Sequence, residues 1–230
     1  MKRLTCILLA FLMVGQLSAQ DYRADFARIK GTFNSSGKQL AFDVSFRYFS
    51  GPKSSVCTDS MRGHYIMQGD KYWYGLAGME MMRSDSYYIV LNKTDQKLSI
   101  ENSSGAPPQF SLDMIDSFAR QRGIVIKPLP ANNHEKGYEI LGLAGDVSSA
   151  QLWFNPETYR VSKIILQYTQ QPIDNVLQDP RVIVSYSNYR LQPLSDVFSE
   201  SNYVIRRGSQ WQPIQAYRNY RLIDHTMITN

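Results

Sequence analysis

The sequence predicts an α+β domain, a largely antiparallel sheet of about ten strands with two or three helices. Three observations lead there. Between Gly63 and Ile100, aromatic and β-branched runs at 63–67, 71–76, 87–91 and 97–100 are separated by the turn sets Gln68-Gly69-Asp70 and Asn92-Lys93-Thr94-Asp95, the pattern of a meander. Earlier, Leu40, Phe42, Val44, Phe46 and Tyr48 alternate with Ala41, Asp43, Ser45 and Arg47, the signature of a strand with one buried and one wet face. After Gly123, strand-like runs resume at 124–129, 138–143, 150–154, 160–168, 181–189 and 202–205, with a turn at Asn155-Pro156-Glu157.

Taken in order, the chain opens on Lys2 and Arg3, a short apolar core at 7–14, and Leu17-Ser18-Ala19 before Gln20, which predicts a cleaved signal peptide over 1–19. That core is too short to cross a bilayer, and no later stretch reaches the roughly 18 apolar residues a spanning helix needs. Cys6 precedes the apolar core, so it is not the lipidated cysteine of a lipoprotein signal and leaves with the peptide. The expected product is one soluble, monomeric domain over 20–230, in the bacterial periplasm or secreted. Next, Tyr22, Phe26, Ile29 and Phe33 recur at helical spacing, with Asp21 to cap the start and Gly31 near the end. Gly51-Pro52 closes the alternating strand and 56–67 returns. Gly105, Pro107 and Pro108 mark a loop over 102–109; Ser111 then caps a helix carrying Leu112, Ile115, Phe118 and Ala119, which ends before Gly123.

Charge and cysteine usage narrow the function. The formal net charge of +5 falls to +3 once Lys2 and Arg3 are removed, and the basic residues are scattered, so nucleic acid is not an expected partner. Cys57 is the one cysteine left in the expected mature chain, so no intramolecular disulfide forms; it also lacks a nearby base in sequence to activate it. His64, His134 and His225 lie far apart without zinc spacing. His64 reads as a wet-face or hydrogen-bonded strand histidine. Gly75, Gly78 and Gly142-Leu143-Ala144-Gly145 lack the dinucleotide pattern, there is no nucleophile elbow, and Asp113 with Asp116 fits the solvent side of a helix. Neither catalytic residues nor a cofactor nor a metal site is expected.

What remains is an apolar lining. Met79, Met81 and Met82 lie beside Tyr72, Trp73, Tyr74, Tyr87 and Tyr88, and flexible thioethers next to aromatic rings make an adaptable surface. Alternation over many strands gives the sheet one long apolar face, and one or two short helices cover it only in part, which leaves a cavity. The expected lining is Phe42, Val44, Phe46, Tyr65, Met67, Tyr72, Tyr74, Met79, Met81, Tyr88 and Val90.

The order of elements resembles a known family. An N-terminal helix, an alternating strand, Gly63-His64-Tyr65, a polar turn, Lys71-Tyr72-Trp73-Tyr74, and Ser84-Asp85 before Tyr88-Ile89-Val90-Leu91-Asn92 look like the first half of periplasmic lipoprotein carriers of the LolA type. Leu152-Trp153-Phe154-Asn155-Pro156, the strand at 160–167, Val182-Ile183-Val184-Ser185-Tyr186-Ser187-Asn188 and Val197-Phe198 resemble that family's closing strands. Gln68-Gly69-Asp70 stands where such carriers place an arginine. The resemblance implies a half-barrel closed by helices around a pocket for acyl chains. The expected function is therefore a non-catalytic binding or carrier protein for a lipid, a lipoprotein acyl chain or another apolar ligand, with acylated proteins and envelope membrane proteins as partners. The alternative is an envelope protein-interaction or stress-sensor domain with a filled pocket.

Overall fold

A computed structural model describes residues 22–33, 38–105, 123–132, 134–143, 145–173 and 176–226. The expected signal peptide, Asp21 and the helix expected over 111–122 lie outside these residues. The fold is an α+β half-barrel, a large, curved, unclosed sheet of mostly antiparallel strands.

Helix α1 (Tyr22–Phe33) forms where the helical spacing predicts it and buries Phe26 and Ile29. The expected meander follows: β1 (Gln39–Phe49), β2 (Asp59–Gln68), β3 (Lys71–Leu76), β4 (Met79–Arg83), β5 (Tyr87–Asn92) and β6 (Lys97–Asn102). Gly69 turns the chain between β2 and β3 at φ +58°, and Ala77 and Gly78 between β3 and β4 both have positive φ, +47° and +82°. Two such residues in succession make the tight turn whose twist matches that of the flanking strands. The second half comprises β7 (Val125–Pro128), β8 (Lys136–Leu141), β9 (Val147–Phe154), β10 (Val161–Tyr168), the short pair β11 (Gln171–Ile173) and β12 (Val176–Gln178), then β13 (Arg181–Gln192). A C-terminal segment adds β14 (Val204–Arg207), β15 (Gln210–Pro213) and β16 (Arg221–Asp224).

Among the described residues twelve strands form one sheet in the order β16-β6-β5-β4-β3-β2-β1-β13-β10-β9-β8-β7. Each described pair is antiparallel except β16 with β6, which is parallel. The expected inward set on β1 holds, with Phe42 and Val44 buried, Phe46 partly buried with them and Arg47 on the opposite face exposed. Ala41, expected on the wet face, is fully buried, because that face is covered at the start of the strand.

Side chains alternate between a helix face, against which α1 packs, and a cap face. On the helix face Phe26 and Ile29 meet Tyr138, Ile140, Leu152 and Phe154. Asp25, 6% exposed, is buried there with partners: the Tyr138 hydroxyl donates to its carboxylate and the Lys136 ammonium lies 2.6 Å away. A buried carboxylate left unpaired costs several kcal/mol, so this contact fixes how the helix docks.

The cap face of β3–β6 is buried by the C-terminal segment. Met82, Ile89, Leu91, Leu98 and Ile100 are fully buried against Phe198, Tyr203 and Val204. Each such side chain contributes roughly 1.5–3 kcal/mol by leaving water. The crossing point is pinned by Gln39, which is fully buried: its amide donates to the Ser195 carbonyl, and the Ser195 hydroxyl donates back to its Oε1, both at 2.8 Å.

Two expectations change. Residues 79–82, read as a segment between strands, are part of β4. The cover on this half of the sheet that the described residues show is a tract of turns and short strands after β13, on the face opposite α1.

Candidate functional site: the aromatic helix face of the first half

Register fixes what lies beside what. On the helix face, Phe42 of β1 pairs with Tyr65, Tyr65 with Tyr74, Tyr74 with Met81 and Met81 with Val90, one line across five strands. Beside it run Leu40, Met67, Tyr72, Arg83 and Tyr88 on one flank, and Val44, Gly63, Leu76, Met79 and Asn92 on the other. Ten of the eleven residues expected as lining therefore fall in three adjacent rows, and Phe46 sits two residues beyond Val44 on the same face. Phe42, Val44, Tyr72 and Tyr88 are buried; Phe46, Tyr65, Met67, Tyr74, Met79, Met81 and Val90 are only partly so.

The rings form a stack. Phe42 and Tyr65 lie 5.2 Å apart and nearly parallel at 4°, and Tyr65 and Tyr74 lie 5.1 Å apart at 12°. The Tyr74 and Tyr88 hydroxyls both donate to the Met81 sulfur, the second at 3.1 Å. Tyr189 and Tyr186 extend the aromatic surface toward β13, with ring centroids 5.2 and 6.0 Å from Phe42. Gly63 is required in this row, because a Cβ there would meet the Gly75 carbonyl at 2.5 Å.

Burial pushes the Tyr65, Tyr72, Tyr74, Tyr88 and Tyr189 hydroxyls above the ordinary tyrosine range, and holds Tyr186 up at about 12. The face therefore presents neutral hydroxyls, rings and thioethers at physiological pH. Unfolded tyrosines lose their protons near pH 10, before the folded ones do, so folding stability is complete below that value and falls above it. Tyr186 accounts for roughly 2 kcal/mol by pH 12. The melting temperature should hold steady from pH 8 to about pH 10 and drop steeply between about pH 10 and pH 12. A flat profile to pH 12 would show that these hydroxyls are solvated.

The opposite face carries a polar network around Glu80 that the sequence reading does not single out. The Trp73 indole donates to the Tyr203 hydroxyl at 2.8 Å, which donates to Glu80 at 3.0 Å, and Lys93 pairs with Glu80 at 2.6 Å. These bonds tie the C-terminal segment to β3 and β4. At the irregularity where β13 carries one extra residue opposite Phe42, Asp43 accepts from His64 Nδ1 and the Asn188 amide, each at 2.7 Å, and Arg190 lies 3.3 Å from His64 Nε2. Those bonds hold the Asp43 carboxyl below its ordinary range. Cys57 is exposed, and its thiol reaches the Asp59 carbonyl. Among the described residues no group of three or more His, Cys, Asp and Glu side chains is placed to hold a metal ion, and no helix is long and apolar enough to cross a membrane.

No protein-family model and no curated protein matches the sequence. Solved structures are similar in fold. An uncharacterized conserved protein from Thermus thermophilus superimposes with a TM-score of 0.51 at 6% identity, over 89% of this chain and 99% of its own. A LolA superfamily protein from Nitrosomonas europaea gives a TM-score of 0.37 at 12% identity, over 78% of this chain and 98% of its own. Pseudomonas aeruginosa MucB, solved with MucA, gives 0.44 at 11% identity, over 83% of this chain and 63% of its own.

Proposed function

We propose that the protein is a non-catalytic envelope binding or carrier protein that holds the acyl chain of a lipid or lipoprotein on the helix face of β1–β5. One observation carries this. The fully buried side chains of β4–β6 are on the cap face, whereas Tyr65, Met67, Tyr74, Met79, Met81 and Val90 are partly open and share the other face. An apolar surface only partly taken up by the core, neutral and rich in rings and thioethers, suits a chain that must be gripped without one fixed shape. Export belongs to the same reading, with residues 1–19 removed as a signal peptide and the mature chain acting as a monomer.

Native mass spectrometry of the exported, purified chain tests it. The expected spectrum contains protein with one or more co-purified acyl lipids, released as the collision energy rises. A spectrum of bare protein, unchanged after incubation with phospholipid or fatty acid, would leave the protein-interaction reading in its place.

A further inference from the structure

The aromatic line does not stop at Val90. It continues to Ser99 of β6 and Ile223 of β16, so seven strands contribute to it. At about 4.8 Å per strand the line is roughly 29 Å long, and its first five strands span roughly 19 Å. Its flanks change character along the way. Over β1–β3 both flanking rows are apolar or aromatic. From β4 onward one flank carries Arg83 and Glu101, one charge of each sign, on either side of Tyr88. The other flank runs through Asn92 to Lys97 and Arg221, two cations that are register partners across the parallel β6–β16 pair. Lys97 has Asp95 at 3.4 Å, both half-exposed, while among the described residues no carboxylate pairs with Arg221.

From this polarity gradient we infer that the ligand is an amphiphile with an anionic headgroup, carboxylate or phosphate, seated at Lys97 and Arg221. Its chain runs across the strands toward Phe42. The inference rests on the reading of the helix face proposed above. The size agrees. One leaflet of a bilayer holds its chains within about 15 Å, and the roughly 19 Å from β1 to β5 accommodates such a chain before the two cations are reached.

The test uses the full mature chain with the uncharged probe N-phenyl-1-naphthylamine bound. The probe is displaced by dodecanoate, dodecyl phosphate or dodecanol, for the parent and for the double variant Lys97→Gln, Arg221→Gln. The parent should prefer the anions over the alcohol by about tenfold, the scale of two partly exposed ion pairs, and less in high salt. The variant should lose that preference and keep its response to dodecanol. The ratio between the two anions then assigns the headgroup as carboxylate or phosphate. Equal displacement by anion and alcohol in the parent, or a preference that survives in the variant, overturns the headgroup site and leaves the apolar face standing. Failure of every amphiphile to displace the probe overturns both.

Discussion

Met81→Asp should fold and lose most of its uptake of a fluorescent fatty acid. Met81 sits in the middle of the aromatic line, partly open, with its sulfur accepting from the Tyr74 and Tyr88 hydroxyls. A carboxylate in its place inherits two hydroxyl donors, so it is not left unpaired, and the stability loss should stay near 1 kcal/mol. A ligand chain is treated differently. It would have to lie against a charge in place of a thioether and would displace the water that solvates it, which should lower affinity by at least about tenfold. Circular dichroism melting and a fluorescence titration on the same sample decide the matter. A variant that fails to fold, or one that takes up the probe as well as its parent, would show that Met81 belongs to a packed core or lies off the ligand's path.

Met82→Asp, one residue along, should fail to fold. Met82 points to the cap face, is fully buried, and lies beside Trp73 on β3 and Ile89 on β5. Among the described residues no hydroxyl or amide donates to its sulfur, and it packs in a cluster with Ile89, Leu91, Leu98 and Ile100. The substitution removes a large apolar side chain and buries a charge, for a cost of several kcal/mol against a total stability of about 5–15 kcal/mol. The expected result is insoluble protein or a chain without a cooperative melt. A well-folded Met82→Asp with near-parental melting temperature would mean the C-terminal segment does not seal this face. Adjacent residues with opposite outcomes are the consequence of a side-chain period of two.

That same period explains what could be read from the residues and what could not. The alternation of β1 is plain because its opposite face is polar, with Asp43, Ser45 and Arg47 between the apolar positions. β4 hides because both its faces are used: Met79 and Met81 on one, Glu80 and Met82 on the other, so no polar alternation marks it. The continuous run Tyr87-Tyr88-Ile89-Val90-Leu91 held the needed signal, since a strand apolar at every position turns apolar side chains to both faces of its sheet. The common face of the expected lining was legible from spacing. The order of residues along the aromatic line was not, because it depends on which strands are neighbours and in what register. The C-terminal cover was the least legible part. Phe198 and Trp211 stand singly in a turn-rich tract, and the short run expected at 202–205 did not show what it packs against, because its partners are on β3–β6, far away in sequence.

β16 has a bearing on when the fold can be finished. It is four residues long, it follows the covering segment, and it lies in parallel along β6, whose other side is taken by β5. β6 is made before β16, so a growing chain exposes the unpaired amides on that side of β6 until residues 221–224 arrive. Pairings of such high separation form slowly, and an open strand edge invites pairing with another chain. A nascent chain of this design is therefore most vulnerable to self-association before β16 emerges, and a chaperone that held it unfolded to that point would protect the edge that β16 later occupies.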